Sequence, residues 1–152
     1  MASVKVFLDN EQDTVELGER LAQIIIPPLV LNLSGELGAG KTTLSRGLIQ
    51  ALGHEGTVKS PTYALVEPYE LNGIELFHFD LYRLHDPEEL EYMGIRDYFS
   101  DNSVCIIEWP ERGYGVMPMA DISIEIKYVG SSRTVEITSG SIKGQVLLSK
   151  LK

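Results

Sequence analysis

A chain of 152 residues, 43% hydrophobic and 23% charged, has the composition of one globular domain with its own apolar core and not that of a disordered segment. Its length is far above the roughly 40 residues below which a fold usually needs disulfides or metals, and its lone Cys105 lies in the apolar run Val104-Cys105-Ile106-Ile107, where it reads as a small buried hydrophobe suited to a reducing cytosol. A net charge of −9 argues against a stand-alone nucleic-acid binder, because such affinity draws on Lys and Arg neutralising phosphates.

The N-terminus has no basic and apolar secretion pattern, and the most apolar stretch, residues 24–31, is broken by Pro27-Pro28 and falls short of the roughly 20 residues that a membrane span needs. The expectation is a cytoplasmic protein with no membrane segment, organised as one domain over residues 1–152.

Residues 4–8 alternate as a strand does. Asp13 precedes Leu17, Leu21, Ile24 and Ile25 on one helical face, and that helix must stop before Pro27-Pro28. Residues 29–33 form a short apolar run ending in Ser34-Gly35, a buried strand feeding a glycine-rich turn. Leu44, Leu48 and Leu52 then recur every fourth residue, with Gly53 where a helix C-terminal glycine stands.

Asn72-Gly73 separates two strand-like runs, residues 63–71 and 74–84, and marks a hairpin. A two-residue turn pairs Leu71 with Ile74, Leu65 with Asp80 and Thr62 with Arg83, which brings the segment 60–63 close to Asp80. Asp86-Pro87-Glu88-Glu89 reads as a helix start, with Asp86 as cap, Pro87 at the first helical position and Glu89 closing a capping box; Gly94 ends the helix. Residues 104–107 form another buried strand, and the alternation of Ile122, Ile124, Ile126, Val135 and Ile137 predicts antiparallel strands.

Between the second strand and its helix, Gly35-Glu36-Leu37-Gly38-Ala39-Gly40-Lys41-Thr42 has the Walker A spacing. Glycines let the backbone wrap a phosphate, Lys41 reaches the β- and γ-phosphates, Thr42 offers a hydroxyl to magnesium, and the helix N-terminus aims free N–H groups at the anion. The predicted architecture is therefore α/β, a P-loop NTPase-like three-layer fold with a mixed, partly parallel sheet and antiparallel C-terminal strands, and the predicted ligands are ATP and Mg2+.

Such a site needs an acidic group at the end of a neighbouring strand to hold magnesium or orient water, and both Asp80, after Leu76-Phe77-His78-Phe79, and Glu108, after the 104–107 strand, fill that position. Either is also what a solvent-facing strand end carries. Ser60, Thr62 and Tyr63 read as a switch-like loop whose hydroxyls sense the γ-phosphate, or as a proline turn with satisfied hydroxyls. Trp109 suits stacking on a partner or substrate, or packing in the core, and His78, in apolar company, reads as structural. No Asn-Lys-x-Asp run reads guanine, and the six arginines are scattered rather than paired in the lid that a small-metabolite kinase closes over phosphates.

Four motifs in order, Gly35-Glu36-Leu37-Gly38-Ala39-Gly40-Lys41-Thr42-Thr43, Lys59-Ser60-Pro61-Thr62-Tyr63, His78-Phe79-Asp80-Leu81-Tyr82-Arg83-Leu84 and Glu108-Trp109-Pro110-Glu111, closely resemble the TsaE (YjeE) family over residues 29–111. That resemblance implies an Mg-dependent ATPase, weak alone, required for threonylcarbamoyladenosine formation on tRNAs reading codons that begin with adenine. It implies action with the TsaB and TsaD subunits, which leave this chain in only indirect contact with tRNA. Carried over by motif, Gly38, Ala39, Gly40, Lys41, Thr42 and Thr43 cradle the phosphates, Thr42 and Glu108 hold magnesium, and Asp80 assists hydrolysis. Trp109 lies near the nucleotide or partner, and Glu11 and Arg133 become candidates for adenine contact. The rival expectation is a P-loop kinase of a small metabolite; a third is a binding module that does not hydrolyse.

Overall fold

The computed structural model describes residues 3–36, 38–58 and 65–151. Its elements in chain order are β1 (Ser3–Leu8), α1 (Glu11–Ile24), β2 (Leu29–Gly35), α2 (Lys41–Ala51), β3 (Val66–Leu71), β4 (Ile74–Asp80), α3 (Glu88–Tyr92), β5 (Ser103–Glu108), β6 (Ile122–Val129), β7 (Ser132–Ser139) and α4 (Ile142–Leu151), with 3-10 turns at Ile95–Tyr98 and Pro110–Gly113.

The strands form one seven-stranded sheet in the order β1-β7-β6-β2-β5-β4-β3. Its centre is parallel, β6 beside β2 beside β5 beside β4, and the outer pairs β1–β7, β6–β7 and β3–β4 are antiparallel. The predicted mixed sheet with antiparallel C-terminal strands is what forms, and β6 is the element that returns to pair with the P-loop strand.

Two cores sit on opposite faces. Leu31 and Leu33 of β2, Ile106 of β5, Ile124 of β6 and Ile137 of β7 pack under Leu17 and Leu21 of α1, Leu44 and Leu48 of α2, and Leu147 and Leu148 of α4. Phe79 of β4 and Cys105 and Ile107 of β5 face the other way, toward Leu90 of α3 and Ile95. Every residue of β5 is buried, as the continuous apolar run requires of a strand covered on both faces. Burial pushes the Cys105 thiol up to about 12, the behaviour of an inert core residue. The third layer spans only the β5-β4-β3 half: Ser123 and Glu125 on β6 and Glu136 on β7 are exposed on the bare half.

Several predicted boundaries move. Helix α1 begins at Glu11, not after Asp13; Asn10 is its cap, its side-chain oxygen accepting from the Asp13 N–H at 2.9 Å, while the Asp13 carboxylate accepts from the Asp9 N–H at 2.9 Å. Polar Glu11 and Gln12 hide that first turn from an apolar-periodicity reading. Strand β4 stops at Asp80 and not at Leu84, because the Asp80 carboxylate accepts from the Tyr82 N–H at 3.0 Å and turns the chain.

The hairpin register is as expected, Leu71 facing Ile74, with Asn72 and Gly73 at φ 51° and 84° as a type I′ turn requires. The Leu65 carbonyl accepts from the Asp80 N–H at 3.0 Å, continuing that register; the expected Thr62 to Arg83 pairing lies outside the described residues. Helix α3 begins at Glu88 with Pro87 in the cap position, one residue later than expected, yet Asp86 and Glu89 still bond reciprocally: the Glu88 N–H donates to Asp86, and the His85 and Asp86 N–H groups donate to Glu89. Helix α4 has no counterpart in the sequence reading. Ser141 starts it, its hydroxyl oxygen accepting from the Gly144 N–H at 3.0 Å.

Candidate functional site

The C-terminal ends of β2, β4 and β5 converge, which is where an open parallel sheet presents ligand-binding groups. The loop after β2 turns through Gly38 and Gly40, at φ 79° and 114°, into the N-terminus of α2. Gly40 has no side chain to cap that helix and no side-chain cap bond forms, so its first-turn N–H groups face the loop as an anion site.

Register does the rest. Asp80 and Glu108, the last residues of β4 and β5, are direct cross-strand partners, and Leu33 of β2 pairs with Glu108 on the other side. Their side chains, with Lys41, Thr42, Tyr82 and Trp109, line a cavity of about 220 Å³ that also reaches Gly38, Gly40 and Thr43. Residues scattered over seventy positions of sequence thus meet at one phosphate-sized hollow.

Lys41 is buried, 5% exposed. Its Nζ donates to the Gly35 carbonyl at 2.5 Å and lies 3.8 Å from the centre of the Trp109 ring. Burial lowers its pKa, while the nearby Glu108, Asp80 and Glu111 carboxylates oppose that shift. Trp109 holds this place because its own backbone is left-handed, at φ 57°, and so turns the ring back over the loop directly after Glu108. Tyr82 packs beside it with ring centres 5.0 Å apart.

Burial raises the Asp80 pKa; the hydrogen bond from the Tyr82 N–H lowers it, and the neighbouring Glu108 adds a further rise. Glu108 is 3% exposed and is held at 2.5 Å by Nε2 of His78.

A second cavity, of about 240 Å³, opens on the other side of Gly38 and Gly40 and brings together Glu11, Ala39, Thr43 and Arg133. Glu11 is turned there by an ion pair with Arg46 at 3.0 Å. The Arg133 guanidinium donates to the Ala39 carbonyl at 3.0 Å and lies 4.2 Å from the centre of the Tyr128 ring, so it braces the loop itself. Sequence reasoning did not single out Tyr82 or Tyr128; the position of Tyr82, two residues past a strand-end aspartate, was the available clue. Ser60, Thr62 and Tyr63 lie outside the described residues.

The donor set suits a magnesium nucleotide. Among the described residues no three His, Cys, Asp or Glu side chains group as a metal cage, and magnesium with a nucleotide needs none, taking one or two protein oxygens with phosphate and water. The uncapped helix start, the left-handed glycines and a lysine turned onto a backbone carbonyl are the parts that a triphosphate would engage. No helix among the described residues is long and apolar enough to cross a membrane.

Comparison with known proteins agrees with this geometry. The family model described as "Threonylcarbamoyl adenosine biosynthesis protein TsaE" matches residues 8–135. The chain is 46% identical to the tRNA threonylcarbamoyladenosine biosynthesis protein TsaE of Haemophilus influenzae, covering 98% of each chain, and 33% identical to that of Bacillus subtilis over 93% of this chain and 89% of the relative. The crystal structure of Bacillus subtilis YdiB superposes with a TM-score of 0.85 at 28% identity, covering 99% of this chain and 94% of the other. With an intact phosphate loop, strand-end carboxylates in register and near full-length similarity, the chain belongs to the TsaE family.

Proposed function

We propose that this protein is the ATP-binding and ATP-hydrolysing subunit required for threonylcarbamoyladenosine modification of tRNAs that read codons beginning with adenine. The carrying observation is the convergence of Lys41, Thr42, Asp80 and Glu108 on one cavity at the mouth of the phosphate loop. Family membership supplies the pathway, because the relatives bear its name. The single sheet supports one ATPase domain over the whole chain, and the lone buried Cys105 suits the cytoplasm.

In this reading Gly38, Ala39, Gly40 and Thr43 present backbone N–H groups to the phosphates. Lys41 leaves the Gly35 carbonyl for the β- and γ-phosphates, and Trp109 keeps water from that lysine. Thr42 and Glu108 would hold Mg2+, which when bound supplies charge neutralisation at the phosphates. Asp80 orients the attacking water and accepts its proton, a task that its raised pKa favours because a more basic carboxylate binds that proton more tightly. Glu11 and Arg133, across the loop, contact the nucleoside, and Ser60, Thr62 and Tyr63 form the switch-like loop.

The partners are TsaB and TsaD, and tRNA is reached only through them; an acidic chain is suited to that division of labour. Purified protein should turn over ATP slowly in magnesium and faster once TsaB and TsaD are added. Asp80→Asn should lower the stimulated rate by about 10²–10⁴-fold with nucleotide binding retained; Glu108→Gln should lower that rate and also the magnesium-dependent part of nucleotide affinity, whereas Lys41→Ala should weaken binding with or without magnesium. Fast turnover that ignores the partners, or wild-type turnover in both carboxylate variants, would refute the assignment.

A further inference from the structure

We propose that His78 is a positioning residue for Glu108, an inference that rests on the reading of Glu108 as part of an ATP site. His78 is fully buried in the middle of β4, and Glu108 ends β5; the parallel register pairs His78 with Ile106, so Glu108 is its diagonal neighbour two residues on. Nε2 of His78 and Oε2 of Glu108 are 2.5 Å apart.

The ring's other nitrogen decides the direction of that bond. Nδ1 is buried and has no hydrogen-bond partner among the described residues, so a proton there would face no acceptor. A proton on Nε2 meets the carboxylate oxygen as its hydrogen-bond acceptor. The imidazole therefore donates to Oε2, and Glu108 accepts.

A core histidine can be simply structural, but two features point further. Among the described residues, the partner is the one carboxylate that is both nearly buried and in the wall of the phosphate cavity. And a donor fixed on Oε2 from below the sheet edge holds the glutamate in one rotamer and leaves Oε1 for whatever occupies the cavity. Among the described residues no side chain donates to Asp80 in this way; its bond comes from the Tyr82 backbone. The two carboxylates thus differ in kind, Glu108 braced from the core and Asp80 set by a turn. Bracing of this kind typically changes affinity or activity about 10–100-fold without touching the ligand.

The test is binding of ADP to the full chain in magnesium and in EDTA, with thermal melting of each variant alongside. His78→Leu should lose about 10–100-fold of the magnesium-dependent part of nucleotide affinity while its affinity in EDTA stays that of the wild type. His78→Gln, whose amide N–H can reach the same oxygen, should restore most of the loss. In a Glu108→Gln background, His78→Leu should cost nothing more.

An equal loss in EDTA and in magnesium, or no recovery with glutamine, overturns the assignment and leaves a structural histidine. If His78→Leu does not fold, His78→Gln carries the test alone: a folded variant with wild-type magnesium dependence supports the proposal, and one that has lost it refutes it. A wild-type chain that binds ADP in neither buffer would instead overturn the ATP-site reading from which the proposal starts. Because the readout is binding, it holds whether or not the chain turns over without partners.

Discussion

At the scale of single residues, the site is a set of charges held close with little solvent between them. Lys41, Asp80 and Glu108 each lose hydration on folding, and each is set where a ligand's charges would compensate. Asp80 makes this measurable. Its folded pKa lies above the ordinary 3.8, so the folded chain holds that proton more tightly than the unfolded chain does. The associated stability is fully present below the ordinary value and is lost as pH rises through the folded one. Asp80→Asn should therefore melt above the wild type at neutral pH, with the gap closing as pH falls toward 3.8. Differential scanning fluorimetry across that range reads it, and a gap that widens toward acid would contradict the assigned shift. Sites that carry unfavourable charge in the service of a ligand commonly behave this way.

At the scale of elements, α1 and α2 cross with almost no space between their backbones. A methyl group on Gly18 would lie 2.6 Å from the Leu44 carbonyl oxygen, and one on Gly47 would lie 2.6 Å from that of Val15. Because those neighbours are backbone, neither can swing aside. Gly47→Ala should cost about 1–3 kcal/mol in denaturant unfolding, and, since α2 carries Lys41 and Thr42 at its start, it should weaken nucleotide binding as well. A stability loss with unaltered binding would show that the crossing does not position the loop.

The same elements show what was legible in advance. The phosphate loop could be read because its chemistry fixes spacing within eight residues, and the β3–β4 hairpin because Asn72-Gly73 fixes register locally. The contact of His78 with Glu108 could not, since it depends on the parallel register of β4 and β5, which no turn sets and which only the packed sheet determines. Arg133 was picked out, but its bond to the Ala39 carbonyl spans 94 positions and follows from how β7 lies beside β6. Helix α4 was missed although Leu147, Leu148 and Leu151 have helical spacing and Ser141 is a fitting cap; Gly144 weakens its helical pattern, and the structure needs a small residue there because a methyl group would collide with the Asp121 carbonyl.

At the scale of the whole molecule, charge and layering point to work done in company. With a net charge of −9 the isolated chain should leave tRNA unshifted in a gel at about 0.15 M salt, and a shift should need the partner subunits; retardation by the chain alone would contradict the indirect role. The molecule also carries a single tryptophan, Trp109, whose ring rests on Lys41, the cation proposed above to move onto the phosphates. All indole emission from the protein therefore originates within 4 Å of the Lys41 amine. The unlabelled protein is its own optical titration: adding nucleotide should change its fluorescence in proportion to occupancy, and Lys41→Ala should start at a different intensity and stay there.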